Sequence, residues 1–239
     1  MKAKLTNTDV QRRYQQVTTC TGYSLKDDFV GIAINPMQLI FCLVVAAVLL
    51  AVTFLVQPLN FWLCISITAL VLAGLAVLLG GNTIEKRHID MEALLIGLGA
   101  AVGLYVLFWA AAWLLHLPLF AGLNLTEQLL ALYALKETAP IYLILPVLLI
   151  ITSPCEEIFW RGFVQRGIAQ SLGTTKGWLL SAVLYALVHI VSLNPLLVAA
   201  ALISGLIWGW MYLKQHHIVS CIICHALWAI AVFVILPLA

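Results

Sequence analysis

The chain has 239 residues, of which 64% are hydrophobic and 9% charged, with a net charge of +2 and a mean hydropathy of +1.07. Ordinary globular chains are about 45–50% apolar and about 25% charged, so this one has too little polar surface to cover a soluble core, and its solvent is lipid. A soluble domain, a secreted disulfide scaffold, a disordered tail and a nucleic-acid binder are all excluded, and +2 is too small to argue for an anionic partner.

The first 35 residues are polar, with Lys2, Lys4, Arg12, Arg13 and Lys26. They hold no short apolar stretch with a small-residue cleavage site. Residues 1–36 therefore read as a cytosolic N-terminal segment and not as a signal peptide. Within it, Val10–Val17 reads equally as a surface helix or as a tail.

Seven stretches then lack Asp, Glu, Lys and Arg: Met37–Val56, Phe61–Leu79, Ala93–Leu115, Ala139–Cys155, Gly177–Leu193, Pro195–Leu213 and Ile218–Leu238. A spanning helix takes roughly 17–25 residues, and helices satisfy their own backbone groups in lipid. The fold class is an all-α, polytopic transmembrane helical bundle of about seven spans. The segment Asn124–Thr138 is too polar to span and predicts an amphipathic helix at the surface, although an eighth span or a re-entrant hairpin would also fit there. Residues 37–135 hold the N-terminal spans and this segment; residues 136–239 hold the polar groups discussed below.

Basic residues in the loops orient the chain. With the N-terminus inside, the inner loops carry Lys86 and Arg87, then Arg166 and Lys176, then Lys214, and the outer loops carry only Lys136. The C-terminus is then outside. Pro58, Pro118 and Pro195 lie between spans, where breakers belong. Pro140 is expected at the first helical position of the fourth span, and Pro146 and Pro154 are expected to kink it. The six cysteines, at 20, 42, 64, 155, 221 and 224, fall mostly in apolar helices and do not form a disulfide framework.

Ionisable groups at membrane depth are costly and point to function. The strongest cluster is Pro154-Cys155-Glu156-Glu157-Ile158-Phe159-Trp160-Arg161. The apolar stretch Ala139–Cys155 before Glu156 rises about 25 Å as helix, so this carboxylate is still inside a core of roughly 30 Å. Glu157 and Arg161, four apart, can pair on one helix face. Glu156 is turned about 100° from Glu157, free to face a cavity and serve as a general base. Tyr185 and His189 share a face of the fifth span, and His225 lies on the seventh. By helical rise, Glu156, His189 and His225 lie about 15, 20 and 10 Å from the inner ends of their spans. They are expected to converge on one cavity opening toward the cytosolic side.

Glu-Glu-x-x-x-Arg, then aromatic-x-x-x-His, then His on a later helix resembles the motif order of the CPBP (CAAX protease and bacteriocin-processing) family of intramembrane proteases, also called Abi, which includes the CAAX endopeptidases. The resemblance covers Pro154 to about Trp228. It implies a glutamate-centred hydrolase acting on a peptide or membrane-associated protein in a bacterial cell membrane. Glu156 with His189 would activate water, His225 would stabilise the oxyanion, and Glu157 and Arg161 would complete the polar site. The family usually has Asn four residues after the last His, a second oxyanion donor. Here that position is Ala229, and loss of one such donor costs about 10²–10³ in rate. Trp228 points about 100° away on the helix, and the Asn194 amide is reachable only if the fifth span unwinds before Pro195. The expected enzyme therefore stands beside an alternative, a non-catalytic immunity or scaffold protein with a degenerate site.

Glu156, His189 and His225 also form a plausible two-His-one-carboxylate set for Zn2+; the resemblance favours the metal-free assignment. Cys221-Ile222-Ile223-Cys224-His225 is literally C-x-x-C-H, a haem-attachment pattern, but it lies within an apolar helix. His216-His217 reads as an interfacial turn, and Asn124-Leu125-Thr126 is a formal glycosylation sequon.

Overall fold

The computed structural model describes residues 32–81, 89–115 and 124–238. The N-terminal segment, Val10–Val17, Cys20, Lys86, Arg87 and Pro118 lie outside the described residues. Ile32–Ala239 forms one compact unit.

Eight helices follow in order among the described residues: α1 (Pro36–Val56), α2 (Phe61–Gly80), α3 (Met91–Leu115), α4 (Leu125–Ala134), α5 (Ile141–Leu172), α6 (Thr174–Ser192), α7 (Pro195–Gln215) and α8 (Val219–Ile235). Six are long and apolar enough to cross a membrane; α8 is apolar but shorter. With α8 the bundle matches the seven stretches of the sequence, and α4 is the short surface helix expected over Asn124–Thr138, prolonged by a 3-10 turn, Leu135–Thr138.

Polar side chains start the helices where the apolar runs begin. Asn35 and Gln38 form a capping box ahead of Pro36, Asn60 accepts from the Trp62 amide, and Asn194 accepts from the Leu197 amide with Pro195 in the first turn. Pro140 is the capping residue and Ile141 begins α5, one position later than expected.

The expected fourth span, Ala139–Cys155, is corrected by α5. This helix runs 32 residues, and Glu156 stands near its middle. The absence of charge ended the predicted span at Glu156. The helix continues because its later charges are neutralised or hydrogen-bonded inside the bundle. Pro146 and Pro154 do not end it. Between them the ladder widens to a π turn, Val147–Thr152, which absorbs the missing proline donors. Ser153 donates its hydroxyl to the Leu148 carbonyl at 2.7 Å and Thr152 to that of Val147 at 3.2 Å, so freed acceptors find side-chain donors.

α6 packs along α7, α3 along α8, and α2 along α5. Small residues permit the closest of these approaches. A Cβ added to Gly97 on α3 would lie 2.7 Å from the Ile223 side chain and 2.9 Å from the Ser220 carbonyl on α8, whereas one on Gly99 meets nothing within 4 Å. Gly97→Ala must push α3 off α8. It is expected to destabilise the protein by about 1–3 kcal/mol, read as a lower thermal midpoint in detergent, with Gly99→Ala close to wild type.

Candidate active site

The two carboxylates of α5 serve different partners, as their 100° separation leads one to expect. Glu157 is fully buried. Its Oε1 accepts from Arg161 Nη1 at 3.1 Å and from His225 Nδ1 at 2.9 Å. Its Oε2 is buried with no hydrogen-bond partner among the described residues. Glu156 is half-buried and accepts from the Tyr185 hydroxyl, 2.7 Å from Oε2.

Tyr185 joins Glu156 to His189. Its hydroxyl holds the carboxylate, and its backbone carbonyl accepts from His189 Nδ1 at 2.7 Å. The helical ladder would use that carbonyl four residues on. Here α6 tightens to a 3-10 turn over His189–Ser192, and the imidazole takes the acceptor. With the Nδ1 proton committed, neutral His189 keeps its Nε2 lone pair free. His225 is oriented by Glu157 through Nδ1, with its ring stacked on Trp208 at a centroid distance of 4.0 Å.

Arg161, 2% exposed, ties the two arms together. It pairs with Glu157, donates to the Gly205 carbonyl at 3.3 Å, and lies over the rings of Tyr185 at 5.2 Å and Trp208 at 5.3 Å. Gly205 allows this approach, since a Cβ there would stand 3.1 Å from the Tyr185 ring.

Glu156, His189 and His225 all line one cavity of about 200 Å³, together with Tyr185, Ser204 and Ala229. Glu157 and Arg161 are not among its lining residues; they lie behind it, as expected of the pair. The cavity extends toward one end of the bundle. It runs from the level of Glu156 and His225 past Phe54, Phe61, Leu132 and Leu197, residues at the end of α1, the start of α2, on α4 and at the start of α7. That is the end of the bundle opposite the α5–α6 connection and the α7–α8 turn. Helical rise gave depths but could not say toward which end the cavity extends.

Asn194 is also corrected. Its Oδ1 caps α7 and its Nδ2 donates to the Gln128 carbonyl at 2.8 Å, so its amide is not free to serve the cavity. Trp228 lines the cavity beside Ala229, and its Nε1 is buried with no hydrogen-bond partner among the described residues. Cys221, Cys224 and His225 all contact Trp208. Cys221 Sγ donates to the Trp208 carbonyl at 3.2 Å, Cys224 Sγ accepts from Trp208 Nε1 at 3.3 Å, and His225 stacks on the same ring. Among the described residues no three His, Cys, Asp or Glu side chains are gathered to hold a metal ion.

Sequence reasoning paired Tyr185 with His189 on one face but missed its bond to Glu156. It missed Trp208 altogether, since an aromatic in an apolar helix carries no local sign of its partner.

Residues 137–231 match the family model described as Rce1-like, type II CAAX prenyl endopeptidase. The segment contains Glu156, Glu157, Arg161, Tyr185, His189, His225 and Ala229, and it supports the CAAX protease family recognised from the motifs. No curated protein and no solved structure matches the chain.

Proposed function

We propose that this intramembrane protein is an endopeptidase in which Glu156 and His189 activate water against a peptide carbonyl. An intramembrane CAAX-type endopeptidase in general follows from the family match. The observation that carries the residue assignment is the convergence of Glu156, His189 and His225 on one cavity inside apolar helices.

Glu156 accepts a proton from water as the water oxygen bonds to the carbonyl carbon. Tyr185 keeps the carboxylate oriented. The carbonyl electron pair moves onto oxygen, where His225, anchored through Nδ1 on Glu157, donates a hydrogen bond from Nε2. The carbon–nitrogen bond then breaks, and the proton passes through Glu156 or the free Nε2 of His189 to the leaving amine. Hydrolysis of a peptide or membrane-associated protein needs no further reactant.

The direct test is cleavage of a peptide library by purified protein, read by mass spectrometry. Activity that survives dialysis against a strong chelator is the expected result; activity lost there and restored by Zn2+ would reassign Glu156, His189 and His225 as metal ligands. Ala229 favours a second reading, an immunity or scaffold protein without catalysis. On the enzymatic reading, Ala229→Asn is expected to raise kcat, by up to about 10²-fold, with little change in KM, because an oxyanion donor acts in the transition state. No cleavage by either form would support the second reading.

A further inference from the structure

We infer that Trp208 is a positioning residue for His225, and that the Cys221 and Cys224 thiols hold Trp208 in that role. This rests on the hydrolytic reading above, in which His225 donates to the oxyanion. What carries it is a closed circuit of contacts around one imidazole, built in part from a C-x-x-C-H stretch for which the hydrolytic chemistry has no other use.

Helical spacing brings that stretch to one face. Cys221 is three residues before Cys224 and four before His225, so all three side chains share a side of α8. α7 and α8 form a hairpin with a short turn, Gln215 ending the one helix and Val219 beginning the other. Trp208 and His225 stand about equally far from that turn, so this face of α8 meets α7 at Trp208.

Each of the three takes a different part of the tryptophan. Cys221 Sγ donates to its backbone carbonyl at 3.2 Å, Cys224 Sγ accepts from its indole Nε1 at 3.3 Å, and the imidazole of His225 lies on its ring with the planes 17° apart. Trp208 is 1% exposed and both cysteines are fully buried, so water does not compete for these bonds. The Arg161 guanidinium lies 5.3 Å from the same ring, and Arg161 pairs with Glu157, whose Oε1 is 2.9 Å from His225 Nδ1. The contacts run from Glu157 to His225, to Trp208, to Arg161 and back to Glu157.

The circuit fixes what a single bond leaves free. Anchored only at Nδ1, an imidazole can swing about that point, and Nε2, across the ring, moves with the swing. A flat surface against the ring removes this freedom. Glu157 and Trp208 together decide where Nε2 points, which neither does alone. Misplacing a reacting group by about 1 Å can cost about 10²-fold in rate. Ala229 has no side-chain donor, so the direction of His225 Nε2 bears directly on the oxyanion. Neither cysteine is among the lining residues of the cavity; a change there reaches the reaction through Trp208 and His225 and not through contact with substrate.

The test compares Cys224→Ala with Cys224→Ser. The serine keeps an acceptor for Trp208 Nε1, and the alanine leaves that donor buried without one. Cys224→Ala is expected to lower kcat for peptide cleavage by about threefold to tenfold with KM unchanged, the effect of one ordinary hydrogen bond, and Cys224→Ser to restore most of it. In a Trp208→Phe background no N–H remains to be held, and the two variants are expected to be equal there. A difference that persists in that background, or no difference with Trp208 in place, overturns the inference. A second arm needs no catalysis. In protein labelled with 13C in its histidine rings, the His225 ring protons are identified by their loss in His225→Gln, and the face of an indole holds such protons upfield. Trp208→Leu is expected to move them downfield, and Cys224→Ala to move them part of the way. An unmoved His225 signal in either variant overturns the inference, so Cys224→Ala decides if Trp208→Leu does not fold. Ring signals that behave as expected in a protein that cleaves nothing would count against the hydrolytic reading and not against the placement of His225.

Discussion

Glu156→Gln is expected to abolish peptide cleavage, by at least about 10³-fold in kcat, while the protein remains folded. The amide keeps the volume of the side chain, and its oxygen can still accept from the Tyr185 hydroxyl that now lies 2.7 Å from Oε2. What it cannot do is take a proton from water at neutral pH. A positioned general base contributes about 10²–10⁴ in rate, and no other carboxylate lines the cavity among the described residues. Glu157 cannot replace it, because its Oε1 already receives Arg161 and His225. The measurement is single-turnover cleavage beside a thermal melt of the same preparation. Equal activity in the two proteins would remove Glu156 from the chemistry and favour the non-catalytic reading. A melt shifted by many degrees would instead assign Glu156 a structural role.

Arg161→Ala is expected to have the largest effect on stability, about 3–5 kcal/mol, the usual cost of leaving one member of a buried pair without its partner. Here the charge left behind is fully buried, and its second oxygen already has no hydrogen-bond partner among the described residues. The substitution also orphans the Gly205 carbonyl and removes the cation held between Tyr185 and Trp208. The double variant Arg161→Ala/Glu157→Gln should recover part of the lost stability, because the uncompensated charge is gone. It should not recover activity, since His225 then loses the carboxylate that anchors its Nδ1. Denaturation midpoints of the two single variants and the double variant in detergent check this. Simple additivity of the two losses would show that Glu157 and Arg161 do not act as a pair.

The membrane class, the run of spans and the residues of the candidate site are legible in the sequence, for a local reason. Hydropathy is a property of each stretch by itself, and a Glu-Glu pair or a His within an apolar stretch has no local explanation, so its cost points at function wherever the helix is placed. The relation of Glu157 to Arg161 is local in the same sense, four residues along one helix. The tertiary structure decided everything that joins distant residues. Glu157 meets His225 across 68 positions, Glu156 meets Tyr185 across 29, and Arg161 reaches Gly205 across 44. No periodicity encodes those meetings, because they depend on how each helix is rotated about its axis in the packed bundle. The same holds for the length of α5, which continues past its charges because other helices satisfy them, and for Asn194, whose amide is taken by α4 and α7. It holds also for the side on which the cavity opens. Composition places three polar residues at similar depth; only the tertiary packing, with Arg161 and Gln165 bonded to α7 and Arg166 to the end of α2 on one side of them, decides that the cavity extends to the other.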